Sequence, residues 1–309
     1  MKETFTFKDE RGKEIYAVKW IPDQMPPVAI IQISHGMAEH IDRYDEFAGF
    51  LTEHGFLVYG HDHRGHGQTD PDQLGFVDTE DGFELQVNNI FDFRQIIEKE
   101  FPGLPRIMFG HSMGSFLLQR YFQIYDDQPA AIIYSGSSGP PPVHTSAGIL
   151  LTGILKRIFG PQKKSTLIHN LMFKPFNKAF KPNRTDADWL SRDKDEVDKY
   201  INDPACGFVG SLSFYQHFLA GLKKLHKHQP FFKHPRSTPI LLISGESDPV
   251  SDMGKGVTWL KNVLELDGGK GVGQKLYTGA RHELLNEINK MEVMNDIISW
   301  IENKTSVKS

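Results

Sequence analysis

The chain has 309 residues, of which 39% are hydrophobic and 24% charged, and its net charge is −4. This composition is typical of an ordinary globular protein that is long enough for one α/β domain with an insertion. The charge gives no reason to expect nucleic acid as a partner, and the single cysteine, Cys206, excludes an internal disulfide and a multi-cysteine zinc site.

Short apolar runs alternate with longer helical patterns over most of the chain. Continuously apolar runs indicate buried strands, which we expect at 28–33, 56–59, 107–109, 131–134 and 240–243, with an edge strand at 275–277. Helical patterns lie at 44–53, 84–100, 112–125, 254–266 and 287–301. The runs at 4–7 and 15–20 predict an antiparallel hairpin that leads into the sheet. This alternation predicts the α/β class, with a mostly parallel central sheet and helices on both faces.

The alternation stops between residues 139 and 236, where helical patterns follow one another with no buried strand between them. We therefore predict a core made of residues 1–138 and 237–309. Residues 139–236 are expected to form a helical cap over the carboxyl edge of the sheet, where ligands of α/β proteins bind. Ordinary helical packing without a lid role is the alternative. A mobile cap could also contact a membrane surface transiently.

No stretch reaches the roughly 18 apolar residues of a membrane-spanning helix, and the N-terminus does not resemble a signal peptide. We therefore expect a cytoplasmic location. The sequence leaves the oligomeric state open.

The run Gly110-His-Ser-Met-Gly114 lies between a strand pattern and a helical pattern. A serine at a tight strand-to-helix turn has a strained backbone, so the residues around it must be small, as Gly110 and Gly114 are. Such a turn exposes the Ser112 hydroxyl and directs the first amides of the helix toward a bound group. The context predicts that Ser112 is a nucleophile.

A serine hydroxyl needs a base to take its proton, and the base needs an acid to orient it. Asp248 follows the predicted strand at 240–243, and His282 is the only histidine after it. This Ser-Asp-His order is the one expected for this type of turn. Asp252 and Glu246 are competing acids, although Asp252 has the position of an N-cap for the helix at 254–266.

An oxyanion that develops in the reaction needs two hydrogen-bond donors. One is the amide of Met113, directly after the serine. The second is expected from the loop after the strand at 28–33, where Gly36 would allow the backbone to turn and the Met37 amide would donate. His35 and Glu39 are expected to fix this loop through hydrogen bonds and to take no part in the chemistry.

A rival interpretation rests on His61, His63 and His66, whose spacing is similar to that of binuclear metallo-hydrolases. The pattern fails at Gly65, where that motif has an aspartate, and no distant ligand set accompanies it. We expect a tight glycine turn beside the nucleophile loop instead, with no metal and no cofactor.

With these motifs in order, the chain resembles the α/β-hydrolase superfamily and, within it, the monoacylglycerol lipase and lysophospholipase family of serine hydrolases. The resemblance is carried by His35-Gly-Met-Ala-Glu-His40 with Arg43-Tyr44, Gly60-His-Asp-His-Arg-Gly-His-Gly-Gln-Thr69, Phe101-Pro-Gly-Leu-Pro105, Gly110-His-Ser-Met-Gly114, Ser244-Gly-Glu-Ser-Asp-Pro249 and Ala280-Arg-His-Glu283. It implies a triad of Ser112, Asp248 and His282, an oxyanion hole of the Met37 and Met113 amides, and a cap at 139–236. Ser115 departs from the second glycine that many members have, and the cap has no motif that matches.

The expected reaction is acyl transfer from a small lipid or ester substrate, such as a monoacylglycerol or a lysophospholipid, to the serine and then to water. Aminopeptidases specific for proline have a related fold and hold the substrate amine with acidic cap residues. Candidates for that role are Asp186, Asp188, Asp193, Asp195 and Glu196. A general carboxylesterase or a thioesterase would use the same triad, and a binding protein without activity is the remaining alternative.

Overall fold

The computed structural model describes residues 1–23, 26–227 and 237–308. Its eight strands form one sheet in the order β1-β2-β4-β3-β5-β6-β7-β8. The strands are β1 Lys2–Lys8, β2 Glu14–Trp20, β3 Ala29–Ser34, β4 Phe56–His61, β5 Arg106–His111, β6 Ala131–Ser135, β7 Ile240–Gly245 and β8 Val272–Tyr277. β1 pairs with β2, and β2 with β4, in antiparallel fashion, and the remaining pairs are parallel. The predicted α/β class, mostly parallel sheet and N-terminal hairpin are confirmed.

Nine α-helices accompany the sheet in the described part of the chain. They are α1 Asp45–Glu53, α2 Gly82–Glu100, α3 Met113–Ile124, α4 Thr145–Phe159, α5 Thr166–Phe173, α6 Lys194–Asn202, α7 Leu212–Leu225, α8 Lys255–Leu266 and α9 Lys290–Lys304. Short 3-10 helices lie at Ile41–Tyr44, Lys174–Phe180 and Leu284–Asn286. Over these same residues, no helix has both the length and the apolar character that crossing a bilayer would require.

The central strands are apolar on both faces because helices cover both faces. In β5, Ile107 and Phe109 belong to the core that α1 and α9 complete, while Met108 belongs to the core that α2, α3 and α8 complete. Side chains alternate between the two faces of a strand, so each continuous apolar run supplies both cores. The carboxyl ends of β3, β5, β6 and β7 therefore lie at one edge, which is where the site forms.

The four helices α4 to α7 lie between β6 and β7, in the interval where the sequence predicts a cap. The division into a core and a cap stays a prediction. Residues 228–236, which contain the expected end of the cap, are outside the described residues.

Two elements start three residues away from the sequence-based expectation, the largest difference among the element starts. The edge strand β8 begins at Val272, earlier than predicted, because its half-buried residues give no continuous apolar run. The last helix begins at Lys290 and not at 287, since the 3-10 turn at Leu284–Asn286 precedes it.

Candidate active site

Ser112 lies at the turn between β5 and α3. Its φ is 50° and its ψ is −118°, a backbone conformation that residues other than glycine rarely adopt. A Cβ on Gly114 would come within 2.0 Å of the Ser34 carbonyl oxygen, and one on Gly110 within 2.8 Å of the Gly114 carbonyl oxygen. The two glycines thus allow α3 to start against β3 and β5, and the predicted strained turn is confirmed.

His282 and Asp248 meet beside this turn, from loops after β8 and β7. The Nδ1 atom of His282 lies 3.0 and 3.1 Å from the two carboxylate oxygens of Asp248, and both side chains are buried. A carboxylate only accepts hydrogen bonds, so Nδ1 carries the proton and Nε2 is the nitrogen available as a base. Asp248 also accepts hydrogen bonds from the Val250 amide and the Ser244 hydroxyl, which fix its orientation.

The charge state of His282 depends on two opposing effects. Burial disfavours the charged imidazole, but the charge and hydrogen bond of Asp248, together with the charges of Glu283 and Glu39, outweigh burial and raise the pKa of His282 above its usual value. The pKa of His111, whose ring lies beside that of His282, shifts the other way. Burial, followed by the nearby His282, lowers this pKa to about 4. His111 therefore stays neutral where His282 titrates.

The two competing acids do not reach His282. Glu246 and Asp252 are both exposed, and Asp252 has a positive φ of 50°. The prediction that Asp252 caps the helix after it is wrong: α8 begins at Lys255 with Gly254 as its N-cap residue, and no side chain makes a capping bond there. The backbone at 252–254 is left-handed, and the Asp252 carboxylate lies 3.8 Å from Nζ of Lys255 and makes no bond to an amide of the helix start.

The loop after β3 lies against the serine, as predicted. The imidazole of His35 bonds to the Gly36 carbonyl and accepts the His63 amide, while the Glu39 carboxylate accepts the Gly36 amide and the Tyr44 hydroxyl. The expectation that His35 and Glu39 fix this loop is confirmed.

Gly36 is needed for a reason other than the predicted one. The residue with a positive φ in this loop is Ala38, at 56°, and Gly36 is instead required by close approach. A Cβ there would lie 2.7 Å from a Glu39 carboxylate oxygen and 3.3 Å from the Ser112 Cβ. Glycine therefore lets the loop pass directly beside the serine.

The two residues whose amides are the predicted oxyanion donors lie at the same cavity as Ser112. Met37 and Met113 both line the cavity that the serine opens into, and within the described ranges neither amide has a hydrogen-bond acceptor. By contrast, the Ser112 amide donates to the Ser135 carbonyl, which removes it as a donor. The Met113 amide is the first of α3, so the positive end of the helix dipole adds to it.

The three histidines of the rival interpretation belong to a buried turn. Gly65 and Gly67 have φ values of 76° and 45°, which confirms the predicted glycine turn. His63 bonds to the Ser34 hydroxyl and His66 to the Arg64 carbonyl. Burial lowers the pKa of His61 to about 3 and that of His66 to about 4, so the rings are uncharged scaffold at neutral pH.

A different trio comes within ligand distance of one another in residues 1–23, 26–227 and 237–308. It consists of His40, Asp203 and Cys206, whose donor atoms lie within 4.8 Å. His40 already bonds to Asp203 at 2.8 Å, and burial raises the pKa of the Cys206 thiol, which keeps it protonated and a poor metal ligand. This trio ties the loop after β3 to the segment before α7.

A single cavity of about 1380 Å³ joins these groups. Ser112 and His282 lie in its wall, and Glu39 and Glu283 line it as well. Apolar side chains from α3 and from the insertion between β6 and β7 form much of the rest, among them Phe116, Leu151, Met172, Phe173 and Phe218. The Ser112 turn and the His282–Asp248 pair thus open to one large, mainly apolar space.

Sequence reasoning did not find two further parts of this site. Arg43 binds both Glu39 and Glu283, and Trp189 of the insertion packs on the His282 ring. Arg43 and Glu283 stand in matching motifs, but their pairing joins loops far apart in the chain. Nothing in the sequence distinguishes Trp189 from other apolar residues of the insertion.

Comparisons with known proteins show the family and the fold of the chain. The profile of the family described as "Serine aminopeptidase, S33" matches residues 25–289. The chain is similar to monoglyceride lipase of Rattus norvegicus, at 29% identity over 96% of this chain and 89% of the relative. It is also similar to monoacylglycerol lipase of Mycolicibacterium smegmatis, at 29% identity over 96% and 95%. A crystal structure of a carboxyl esterase from Bacillus coagulans in complex with glycerol superposes with a TM-score of 0.88, at 28% identity and with 98% of both chains covered.

The fold and the turn at Ser112 define an α/β-hydrolase, and the chain is a carboxylic ester hydrolase. It belongs to the family described as serine aminopeptidase S33 and is similar to the monoglyceride lipases.

Proposed function

We propose that the protein hydrolyses the carboxylic ester of a lipid with one acyl chain, a monoacylglycerol or a lysophospholipid, through an acyl-enzyme on Ser112. The observation that carries this proposal is the meeting of three features in one place. The serine turn and the His282–Asp248 hydrogen bond both open into the same large, mainly apolar cavity.

In the first step, the Ser112 oxygen attacks the ester carbonyl carbon while Nε2 of His282 accepts the serine proton. Asp248 holds the imidazole by its Nδ1–H and stabilises the positive charge that forms. The same proton then passes from Nε2 to the leaving alcohol oxygen, and the acyl group stays on the serine. In the second step, water attacks the acyl carbon while Nε2 of His282 takes its proton. The bond to the Ser112 oxygen then breaks, that oxygen takes the proton from Nε2, and the acid leaves.

The amides of Met37 and Met113 are the proposed donors to the oxyanion. Their support is that both line the cavity beside the serine and that neither is used elsewhere within the described ranges. Donors that are already in place lower the barrier without reorganisation during the reaction. The Glu39 bond to the Gly36 amide keeps that neighbouring donor away from the oxyanion and holds the loop in shape.

The cavity suits a long acyl chain. Its volume of about 1380 Å³ exceeds the roughly 300–1,000 Å³ of most small-molecule pockets. Apolar side chains of α4, α5 and α7 enclose it, including Leu151, Met172 and Phe218. Burying an acyl chain there is favourable by roughly 0.8 kcal/mol per methylene. We therefore expect KM to fall as the acyl chain lengthens.

An exposed apolar stripe on the insertion supports the predicted contact with lipid surfaces. Leu150, Ile154 and Ile158 recur on one face of α4 and are 50–67% exposed, beside the exposed Phe159. The exposed cations Arg157, Lys163 and Lys164 lie close by in the sequence. An apolar face flanked by cations is typical of a helix that lies on an anionic membrane surface. The cytoplasmic location stays a prediction.

The stripe is tested by the double variant Ile154→Asp/Ile158→Asp in sedimentation with phosphatidylcholine vesicles that contain phosphatidylserine. We expect the variant to lose vesicle binding and to turn over vesicle-borne substrate slowly, with a soluble short-chain ester cleaved as before. Leu266→Asp is the matched control, because Leu266 is 85% exposed at the end of α8, outside the stripe. Equal sedimentation of the wild type and the double variant would contradict the contact.

An aminopeptidase activity is the second candidate, because the matching family bears that description. Of the five acids named for this role, Asp186 alone lines the cavity. Glu196 pairs with Lys199 and Lys290, and Asp195 is exposed. Asp188 accepts the amides of Arg184 and Thr185, and Asp193 caps α6. Glu39 and Glu283 line the cavity but both bind Arg43. This distribution favours an uncharged substrate head over an ammonium group.

A substrate panel tests the proposal. Purified protein is assayed with monoacylglycerols of 8 to 18 carbons, lysophospholipids, p-nitrophenyl esters, acyl thioesters and prolyl amides, with Ser112→Ala as the control. We expect release of fatty acid from the lipid esters, at least 10³-fold slower in the variant. Cleavage of prolyl amides with no cleavage of lipid esters would replace the proposal by the second candidate.

A further inference from the structure

The indole of Trp189 packs on the ring of His282. The ring centroids are 5.1 Å apart and the planes are inclined by 35°. Trp189 is 9% exposed and His282 is 2% exposed, and both line the cavity. A residue of the insertion between β6 and β7 therefore touches the imidazole that the proposed mechanism uses as its base.

Backbone bonds hold this contact in place. The His282 amide points to the Trp189 carbonyl at 3.4 Å, and the Glu283 amide donates to the Leu190 carbonyl at 2.8 Å. The Trp189 amide in turn donates to the side-chain carbonyl of Asn177 at 2.9 Å. The two short segments run side by side, so these bonds hold the backbone of Trp189 beside that of His282.

Side chains on either side strengthen the same junction. Arg281, directly before His282, donates to the carbonyls of Asp188 and Ser191. Behind the indole lies Phe176, with a centroid distance of 5.0 Å. The Trp189 ring is thus fixed between an aromatic side chain and the imidazole.

The titratable groups that face His282 come from four parts of the fold. Asp248 follows β7, Glu283 is the next residue, and Glu39 lies on the loop after β3. His111, at the end of β5, has its ring 4.8 Å away and is neutral. The cations Arg43 and Arg281 are engaged by Glu39 and Glu283, and by backbone carbonyls, respectively. The face of the Trp189 ring carries a negative potential and, like the nearby carboxylates, attracts a positively charged imidazole.

We propose that Trp189 is a positioning residue that holds the His282 imidazole toward Asp248 and stabilises its charged form in the acyl-transfer steps. The proposal rests on the proposed role of His282 as general base. An aromatic face within about 6 Å of a cation attracts it, and most strongly when the ring is that of tryptophan and water is excluded. The imidazolium exists only after the serine proton has been taken, so the contact acts on the intermediate more than on the resting enzyme.

The test compares Trp189→Phe and Trp189→Met, because phenylalanine keeps a weaker aromatic face and methionine fills space without one. The pKa of His282 is measured by NMR of its ring protons in the Ser112→Ala background, assigned with His282→Gln. Trp259→Met is the matched control, since Trp259 lies on α8 and packs near His226.

We expect Trp189→Met to lower the pKa of His282 by about 0.4 to 1.5 pH units and Trp189→Phe to lower it less. In the background that keeps Ser112, the acid limb of kcat/KM for a short-chain ester should move to lower pH by the same amount, and kcat at its plateau should fall. Trp259→Met should leave the pKa of His282 unchanged. If the pKa of His282 is unchanged or raised in Trp189→Met and only KM is altered, Trp189 does no more than line the cavity, and the proposal is wrong.

The two proposals fail in different ways. If Ser112→Ala keeps its activity, the acyl-enzyme mechanism is wrong whatever the NMR titration gives. If Ser112→Ala is inactive but the pKa of His282 does not depend on residue 189, the mechanism stands and the role of Trp189 is wrong.

Discussion

The guanidinium of Arg43 binds both carboxylate oxygens of Glu283, at 2.8 and 2.7 Å, across 240 residues of chain. The same guanidinium binds Glu39 at 2.7 Å, and Glu39 in turn accepts the amide of Gly36. One side chain therefore joins the loop that contains Met37 to the residue directly after His282. Burial opposes charge here, but Arg43 prevails and lowers the pKa of Glu283 to about 2.

Replacing Arg43 with methionine should destabilise the fold by about 3–5 kcal/mol, because two buried carboxylates would lose their cation. Arg43, Glu39 and Glu283 are all nearly buried, at 11%, 4% and 7% exposure of the side chain. The loss should be larger at pH 8 than at pH 5, since an unpaired buried carboxylate binds a proton more readily. Urea unfolding at the two pH values measures it.

Arg184→Met is the control for that experiment. Its ion pair with Asp198 is 39% and 48% exposed, so its loss should cost about 0–1 kcal/mol. Equal destabilisation by the two variants would show that the buried ion pairs of Arg43 stabilise the fold no more than the exposed pair of Arg184 does.

Asp248→Asn should lower kcat on the order of 10³–10⁴-fold while the protein stays folded. The amide cannot accept the Nδ1–H in the same way, so the imidazole loses its orientation and its counter-charge. Asp252→Asn and Glu246→Gln should change kcat little, because both residues are exposed and neither reaches His282. Steady-state kinetics of the three variants with a soluble ester shows which carboxylate the reaction needs. A large loss in Asp252→Asn with none in Asp248→Asn would reassign the acid.

The activity should depend on pH through His282. Only the neutral imidazole can accept the serine proton, and the Asp248 carboxylate raises its pKa despite burial. The acid limb of kcat/KM should therefore lie above pH 6.5, the ordinary value for histidine. His111 cannot account for such a limb, since its pKa is about 4. A pH–rate profile from 4.5 to 9 measures the limb, and one below pH 5.5 would contradict the assignment.

His282 also makes the stability of the fold depend on pH. Its contribution to stability falls as pH rises, whereas the activity increases. A folded-state pKa above the unfolded one means that the folded protein holds the proton more tightly. The stabilisation from His282 is therefore complete below its unfolded pKa and is lost as pH rises through its folded pKa. Comparing the unfolding free energies of wild type and His282→Gln at pH 6 and pH 8.5 checks this direction.

Gly114 should not tolerate a methyl group. A Cβ at this position would lie 2.0 Å from the Ser34 carbonyl oxygen, so α3 would have to move away from β3. We expect Gly114→Ala to cost about 1–3 kcal/mol, and more if the helix cannot shift. Gly49→Ala is the matched control, because nothing lies within 4 Å of a Cβ there and the residue is inside α1. That change should stabilise by roughly 0.5–1 kcal/mol. The same sign for both changes in urea unfolding would contradict the argument.

The sequence predicts the buried strands and the turn at Ser112 well because their signals are local. Ile107 to Phe109 and Ala131 to Ile133 are apolar without interruption, and glycine is the only residue type that fits on either side of the Ser112 turn. The order of Asp248 and His282 along the chain also indicates their pairing, although only the fold brings their atoms to 3.0 Å.

Contacts between distant parts of the chain are not readable in the same way. Nothing in the sequence around Arg43 indicates that it pairs with Glu283. Trp189 likewise resembles any apolar residue that packs between helices. The start of β8 was missed because a half-buried edge strand lacks a strong apolar period. Asp252 was misread because Asp before a helix usually caps it, whereas the left-handed backbone at 252–254 makes Gly254 the N-cap residue.

The central claim is that Ser112 becomes acylated, and mass spectrometry of the protein after reaction with a fluorophosphonate tests it most directly. We predict one adduct per chain, located on Ser112 by peptide sequencing, formed faster above the pKa of His282 and slower by several orders of magnitude in Asp248→Asn. Folded Ser112→Ala should form no adduct. Labelling of another residue at the same rate, or an unlabelled folded wild type, would contradict the account.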